Sequence, residues 1–131
     1  MELLHEDITN KIIKAFYRVY NELGFGFLEK VYENALFIEL MDMGLYCEKQ
    51  QPIKVYYAEQ LVGEYFADII VNDCVVVELK AAAAIVEVHE LQLINYLKAT
   101  EIEVGLLLNF GEKPEFKRKV FTNDRKKIKS G

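Results

Sequence analysis

The stretch VVVELK at 75–80 runs three valines into an acid and a base two residues apart, Glu78 and Lys80. Buried strands favour Val and Ile, and Glu and Lys are rarely buried unless paired. Strand side chains alternate, so Glu78 and Lys80 point to the same side. A further acid, Asp68, lies near the end of the preceding apolar segment, LVGEYFADIIV (61–71). A hairpin of the two segments would bring the Asp68 and Glu78 carboxylates close together. Neighbouring carboxylates repel, which raises one pKa unless a cation sits between them. Oxygen ligands with open water positions suit Mg²⁺ or Mn²⁺, ions that activate water and polarise a phosphoryl oxygen. Lys80 would orient or deprotonate that water and neutralise developing charge. The competing reading is a surface ion pair at a strand end, with Asp68 solvated. Against it, the pair emerges from a valine run rather than from a solvated edge.

The chemistry sets a condition on the hairpin. A strict two-residue turn at Asn72-Asp73 pairs position 68 with 77 and leaves Asp68 and Glu78 on opposite faces. Sharing a face requires an odd loop, such as Asn72-Asp73-Cys74, or a one-residue bulge.

Two other stretches bear on the site. In VHELQLINYL (88–97), His89, Gln92 and Tyr96 form one stripe of a helix, suited to a phosphate or base contact or to supporting Lys80. An ordinary polar edge of an amphipathic helix has the same pattern. In GFLEKVYENAL (26–36), Gly26, Glu29, Tyr32 and Glu33 give G-x-x-E-x-x-Y-E. A carboxylate at Glu29 in the first turn of a helix interacts favourably with the helix dipole, and Glu33 then follows one turn later as a solvated residue. The alternative makes Glu29 a third acid of the metal site, and spacing does not choose between these.

The elements that must position these residues can be read from periodicity. Ile8, Ile12, Phe16, Val19 and Leu23 recur at helical spacing over 4–23, ended by GFGF (24–27), and a second helix spans about 28–43 up to Gly44. Strands follow at 45–58, where Pro52 suggests an edge or a bulge, at 61–71 and at 74–80. The third is apolar on both faces and so belongs in the middle of a covered sheet. A helix over 86–99, a strand at 103–110 and a possible edge strand at 116–122 complete the order ααβββαβ(β), an α/β fold with helices packed on a mixed central sheet.

The chain has 131 residues, which fits one domain. No apolar run is long enough to span a membrane, the acidic start lacks a secretory n-region, and Cys47 and Cys74 form no CxxC pattern. The expectation is a cytoplasmic protein with reduced thiols. Net charge is −5, divided unevenly: residues 1–112 carry 8 basic and 19 acidic side chains, residues 113–131 carry 8 and 2. The basic end would either touch phosphates or offset an acidic body, and the overall acidity argues against a dedicated, tightly binding DNA protein.

Taken together, G-x-x-E-x-x-Y-E at 26–33, Asp68, VELK at 77–80, VHELQLINYL at 88–97 and GLLLNF at 105–110 resemble the GxxExxY proteins of the PD-(D/E)xK nuclease superfamily. The resemblance covers about residues 5–122 and implies a restriction-endonuclease-like core with Mg²⁺- or Mn²⁺-dependent phosphodiester hydrolysis. It implies Asp68, Glu78 and the Leu79 carbonyl as metal ligands and Lys80 as the catalytic lysine. Glu29 matches the early-helix acid of the exonuclease-like branch, and Gln92 and Tyr96 match its Q-x-x-x-Y motif beside the active site. His89 falls where this family usually has His. The "PD" proline is Ala67 here, and AAAAI (81–85) offers little to grip a substrate. The expected organisation is one nuclease-like domain over 1–122 with a basic tail at 123–131, acting on nucleic acid, in the first place DNA. A homodimer would join two basic tails into one groove. The alternatives are a non-catalytic nucleic-acid-binding or protein-interaction module, and a metal-dependent hydrolase of another phosphoryl substrate.

Overall fold

The computed structural model describes residues 3–127; the far end of the basic segment, 128–131, lies outside the described residues. Helices α1 (Glu6–Leu23) and α2 (Glu29–Asp42) precede strands β1 (Cys47–Tyr57), β2 (Gln60–Val71) and β3 (Val75–Lys80). Helix α3 (Glu87–Lys98), β4 (Val104–Phe110), β5 (Pro114–Val120) and a short 3₁₀ turn (Asn123–Arg125) follow. The five strands form one sheet in the order β1-β2-β3-β4-β5, antiparallel except for β3 and β4. The α/β architecture expected of a restriction-endonuclease-like fold is present, with the strand at 114–120 as its far edge. Among the described residues, no helix is long and apolar enough to cross a membrane.

Two apolar layers sandwich the sheet. On one face, Ile12 and Phe16 of α1 and Leu36 of α2 pack on Ile69, Val77, Leu106 and Phe110. On the other, Leu93 and Leu97 of α3 pack on Val76, Leu107, Ala67 and Ile53. The valines of β3 alternate between these layers, which explains why the strand is apolar on both faces. Helix α3 is the crossover that two adjacent parallel strands require.

The close seat of α3 on β4 depends on Gly105. A Cβ built there meets Leu93 Cδ1 at 2.7 Å and Cγ at 3.0 Å, and Leu93 is fully buried. Gly105→Ala is therefore expected to cost about 1–3 kcal/mol in a denaturation titration. Combined with Leu93→Ala, the two costs should sum to less than their separate values, because the second change vacates the space the methyl needs.

Residues 121–126 are tied back to the body. The Phe121 amide donates to the Glu103 carbonyl at 2.8 Å, and Lys126 Nζ donates to the carbonyls of Thr100 and Ile102 at 2.8 and 2.7 Å.

Candidate active site

Asp68 and Glu78 meet because of the turn between β2 and β3. Val71 pairs with Val75 and Ile69 with Val77, leaving a three-residue loop, Asn72-Asp73-Cys74. The Cys74 amide donates to the Val71 carbonyl at 3.0 Å, and Asn72 and Asp73 both take left-handed backbone (φ 50° and 55°). Asn and Asp tolerate that conformation better than other side chains that carry a Cβ. The odd loop that the chemistry demanded is thus present, and it places position 68 opposite 78.

The regular ladder stops at Ile69–Val77, and side chains take over. The Asp68 N–H donates to Glu78 Oε1 at 3.1 Å, and the Leu79 N–H donates to Asp68 Oδ2 at 2.8 Å. Each carboxylate therefore satisfies a main-chain donor that the parting strands would leave unpaired. Beyond this point β2 continues paired with β1 alone, and its facing changes. Ile69 belongs to the α1–α2 layer whereas Ala67, two residues earlier, belongs to the α3 layer. Across from Asp68 on β1, Gln50 sits at φ 52°, and the same switch occurs there. Lys49 lies over the Phe37 ring of α2, while Ile53 packs under α3.

That left-handed residue brings its own side chain into the site. Gln50 Nε2 donates to Glu33 Oε1 at 2.7 Å and to Asp68 Oδ1 at 3.3 Å. Glu33, expected to be solvated, is only 4% exposed. Its burial is supported by Gln50 on one oxygen and by Lys30 Nζ at 3.0 Å on the other. Glu29 is exposed in the first turn of α2. Among the described residues, no three His, Cys, Asp or Glu side chains gather tightly enough to hold a metal by themselves.

Electrostatics match this crowding. Burial, then the neighbouring Asp68 charge, pushes the Glu78 carboxyl up to about 8. Asp68 is raised chiefly by burial, offset in part by the Leu79 N–H that it accepts. Lys80, half-buried two residues beyond Glu78, favours the ionised form of both acids. Two proximal carboxylates that resist losing their protons, with Glu78 Oε2 free of protein partners among the described residues, form a donor set that fits a divalent cation retaining several waters.

Of the α3 stripe, Gln92 and Tyr96 are joined. Gln92 Nε2 donates to the Tyr96 hydroxyl at 2.8 Å. Burial, then the Glu78 charge, pushes the Tyr96 phenol up to about 12, which places Tyr96 within electrostatic reach of the carboxylates. His89 accepts the Val86 N–H through Nδ1 at 3.3 Å, at the start of the helix.

Two supports had no visible role in the sequence. Tyr32 stacks on Phe110 at 4.2 Å between ring centroids; its hydroxyl donates to the Gly24 carbonyl at 2.6 Å and accepts the Phe27 N–H at 3.2 Å. The tyrosine of G-x-x-E-x-x-Y-E thus fastens the GFGF loop over the entry to α2. Asn109, fully buried opposite Lys80 on β4, holds the main chain of Ala82 from both sides at 2.9 and 3.0 Å. The only advance signal for either was its place in a motif.

The fold resembles the solved protein titled "Crystal structure of SSO0001", with a TM-score of 0.57 at 17% sequence identity, over 73% of this chain and 52% of that one. The chain thus spans about half the length of that protein, and the likeness concerns the fold. No curated protein matches it in sequence. The family model of the PD-(D/E)XK nuclease superfamily matches residues 6–119, nearly the whole described chain, and the protein belongs to that superfamily.

Proposed function

We propose that the protein is a small Mg²⁺- or Mn²⁺-dependent nuclease of the GxxExxY kind that hydrolyses phosphodiester bonds, in the first place of DNA. The observation that carries this reading is the cross-bonded pair of Asp68 and Glu78 where β2 and β3 part, with Lys80 on the Glu78 side of β3. Asp68, Glu78 and the Leu79 carbonyl would hold the cation, which when bound polarises the phosphoryl oxygen and lowers the pKa of a water. Lys80 orients the attacking water and offsets the charge that builds on the phosphorane oxygens. Gln50 fixes the Asp68 carboxylate, and Glu33 fixes Gln50. Glu29, exposed at the head of α2, would reach the cation through water. Gln92 and Tyr96 position the strand beside it.

The test is cleavage of single-stranded, double-stranded and nicked DNA, and of RNA, with Mg²⁺ or Mn²⁺, beside Asp68→Ala and Lys80→Ala. Metal-dependent cleavage that both substitutions remove is the expected result. Absence of cleavage together with absence of cation binding by calorimetry would refute it and favour a non-catalytic binding module, a reading that the acidic body of the chain supports.

A further inference from the structure

Beside the carboxylates, β1, β2 and α3 enclose a groove of about 620 Å³, within the size range of small-molecule sites. Its walls include Tyr65, Tyr96, Val88, Leu91, Gln92 and Asn95. None of these carries a formal charge, in a chain of net charge −5, so the groove is not built for phosphate. Tyr65 is 48% exposed, and its ring leans on Tyr96 at 5.5 Å between centroids and 43° between planes. Tyr96 is buried and bonded to Gln92, so Tyr65 rests on a fixed support. Leu91 and Val88, both exposed, supply apolar surface from α3, and the amides of Gln92 and Asn95 supply donors and acceptors. A half-exposed aromatic side chain, apolar surface and a few amides are what a nucleobase requires. The groove adjoins the site, because Tyr65 precedes Asp68 by three residues on β2 and Tyr96 serves both.

We propose that this groove takes unpaired nucleobases of the strand being cut, stacked on Tyr65, so that the substrate is a single strand or a frayed end rather than intact duplex. The inference rests on the nuclease reading for the identity of that strand. A paired base cannot enter such a groove without being drawn out of its stack.

The test uses the full chain and a short oligothymidylate carrying one 2-aminopurine, whose fluorescence falls on stacking. Wild-type protein is expected to quench it and to bind the same sequence more weakly as duplex. Tyr65→Ala should remove the quench and weaken binding about 10-fold, whereas Tyr65→Phe should keep both. An abasic position in place of the 2-aminopurine should weaken binding as Tyr65→Ala does. Equal binding of duplex with no effect of Tyr65→Ala would overturn the inference. So would a dimer by light scattering that Leu91→Glu dissociates, since a second copy would then cover the groove. Failure of the nuclease reading alone looks different: the oligonucleotide is bound and quenched, yet no metal supports its cleavage.

Discussion

Glu78→Gln is expected to reduce cleavage at least about 100-fold and, in the absence of metal, to stabilise the fold at alkaline pH. Both effects come from one carboxyl that is 6% exposed and faces Asp68. Its pKa is about 8 in the folded chain against 4.5 for an ordinary glutamate. The folded state therefore holds this proton more tightly than the unfolded chain does. Below about pH 4.5 the group is neutral in both states and its burial carries no ionisation penalty. As pH rises towards 8 the unfolded chain releases its proton first, and folding loses stability through that window. At about 1.4 kcal/mol per pKa unit, the loss is on the order of 3–5 kcal/mol at most. Glutamine keeps the acceptor for the Asp68 N–H and never ionises, so the difference in melting temperature between variant and wild type should grow from pH 5 to pH 8. Mg²⁺ should reverse the order by stabilising only the wild type. At pH 7 Glu78 should also give up about one proton as the cation binds, visible as a buffer-dependent heat in calorimetry. A Gln variant that is less stable than wild type in metal-free buffer at pH 8 would contradict this account.

The parts of the site legible in the sequence were those set by local periodicity. Period two assigned Glu78 and Lys80 to one side, and the demand that Asp68 share it selected a three-residue loop over the tighter turn. Helical spacing brought Gln92 and Tyr96 together. What stayed hidden depended on contacts distant in the chain or on unusual backbone. Glu29 and Glu33 share a helix face, and the sequence marks Glu29 as the candidate acid and Glu33 as solvated; the arrival of Gln50, 17 residues after Glu33, buries Glu33 instead. Gln50 itself has no signature, because a left-handed non-glycine residue inside a strand is not foreshadowed by composition. Pro52 marks β1 as an edge, and β1 is an edge strand, but the residue that redirects the strand stands two positions earlier. Residue types thus suggested the chemistry, while tertiary contacts decided which acids are desolvated.

The small-residue stretch after Lys80 shows the same division. Four alanines in a row have only methyl side chains to anchor them, yet the chain must leave β3 at a defined angle for Lys80 to be held. The anchor comes from β4: Asn109 donates to the Ala82 carbonyl and accepts its N–H. Gly111 completes the fit, since a Cβ there would lie 2.4 Å from the Ala82 oxygen and 3.0 Å from Asn109 Nδ2. Asn109→Ala leaves two main-chain groups of Ala82 without partners and should cost about 2–4 kcal/mol. Gly111→Ala should cost about 1–3 kcal/mol by pushing the same carbonyl away. Because Asn109 pairs with Lys80 across β3 and β4, both changes should also loosen the lysine, and a displacement of about 1 Å at a reacting group costs on the order of 100-fold in rate. Cleavage should therefore fall through kcat with little change in KM. The amide of Ala82 should exchange with solvent deuterium faster than the strand amides of β3 in either variant. Unchanged protection of Ala82 in Asn109→Ala would show that the alanine loop is held by some other contact, and the link from β4 to Lys80 would then be broken.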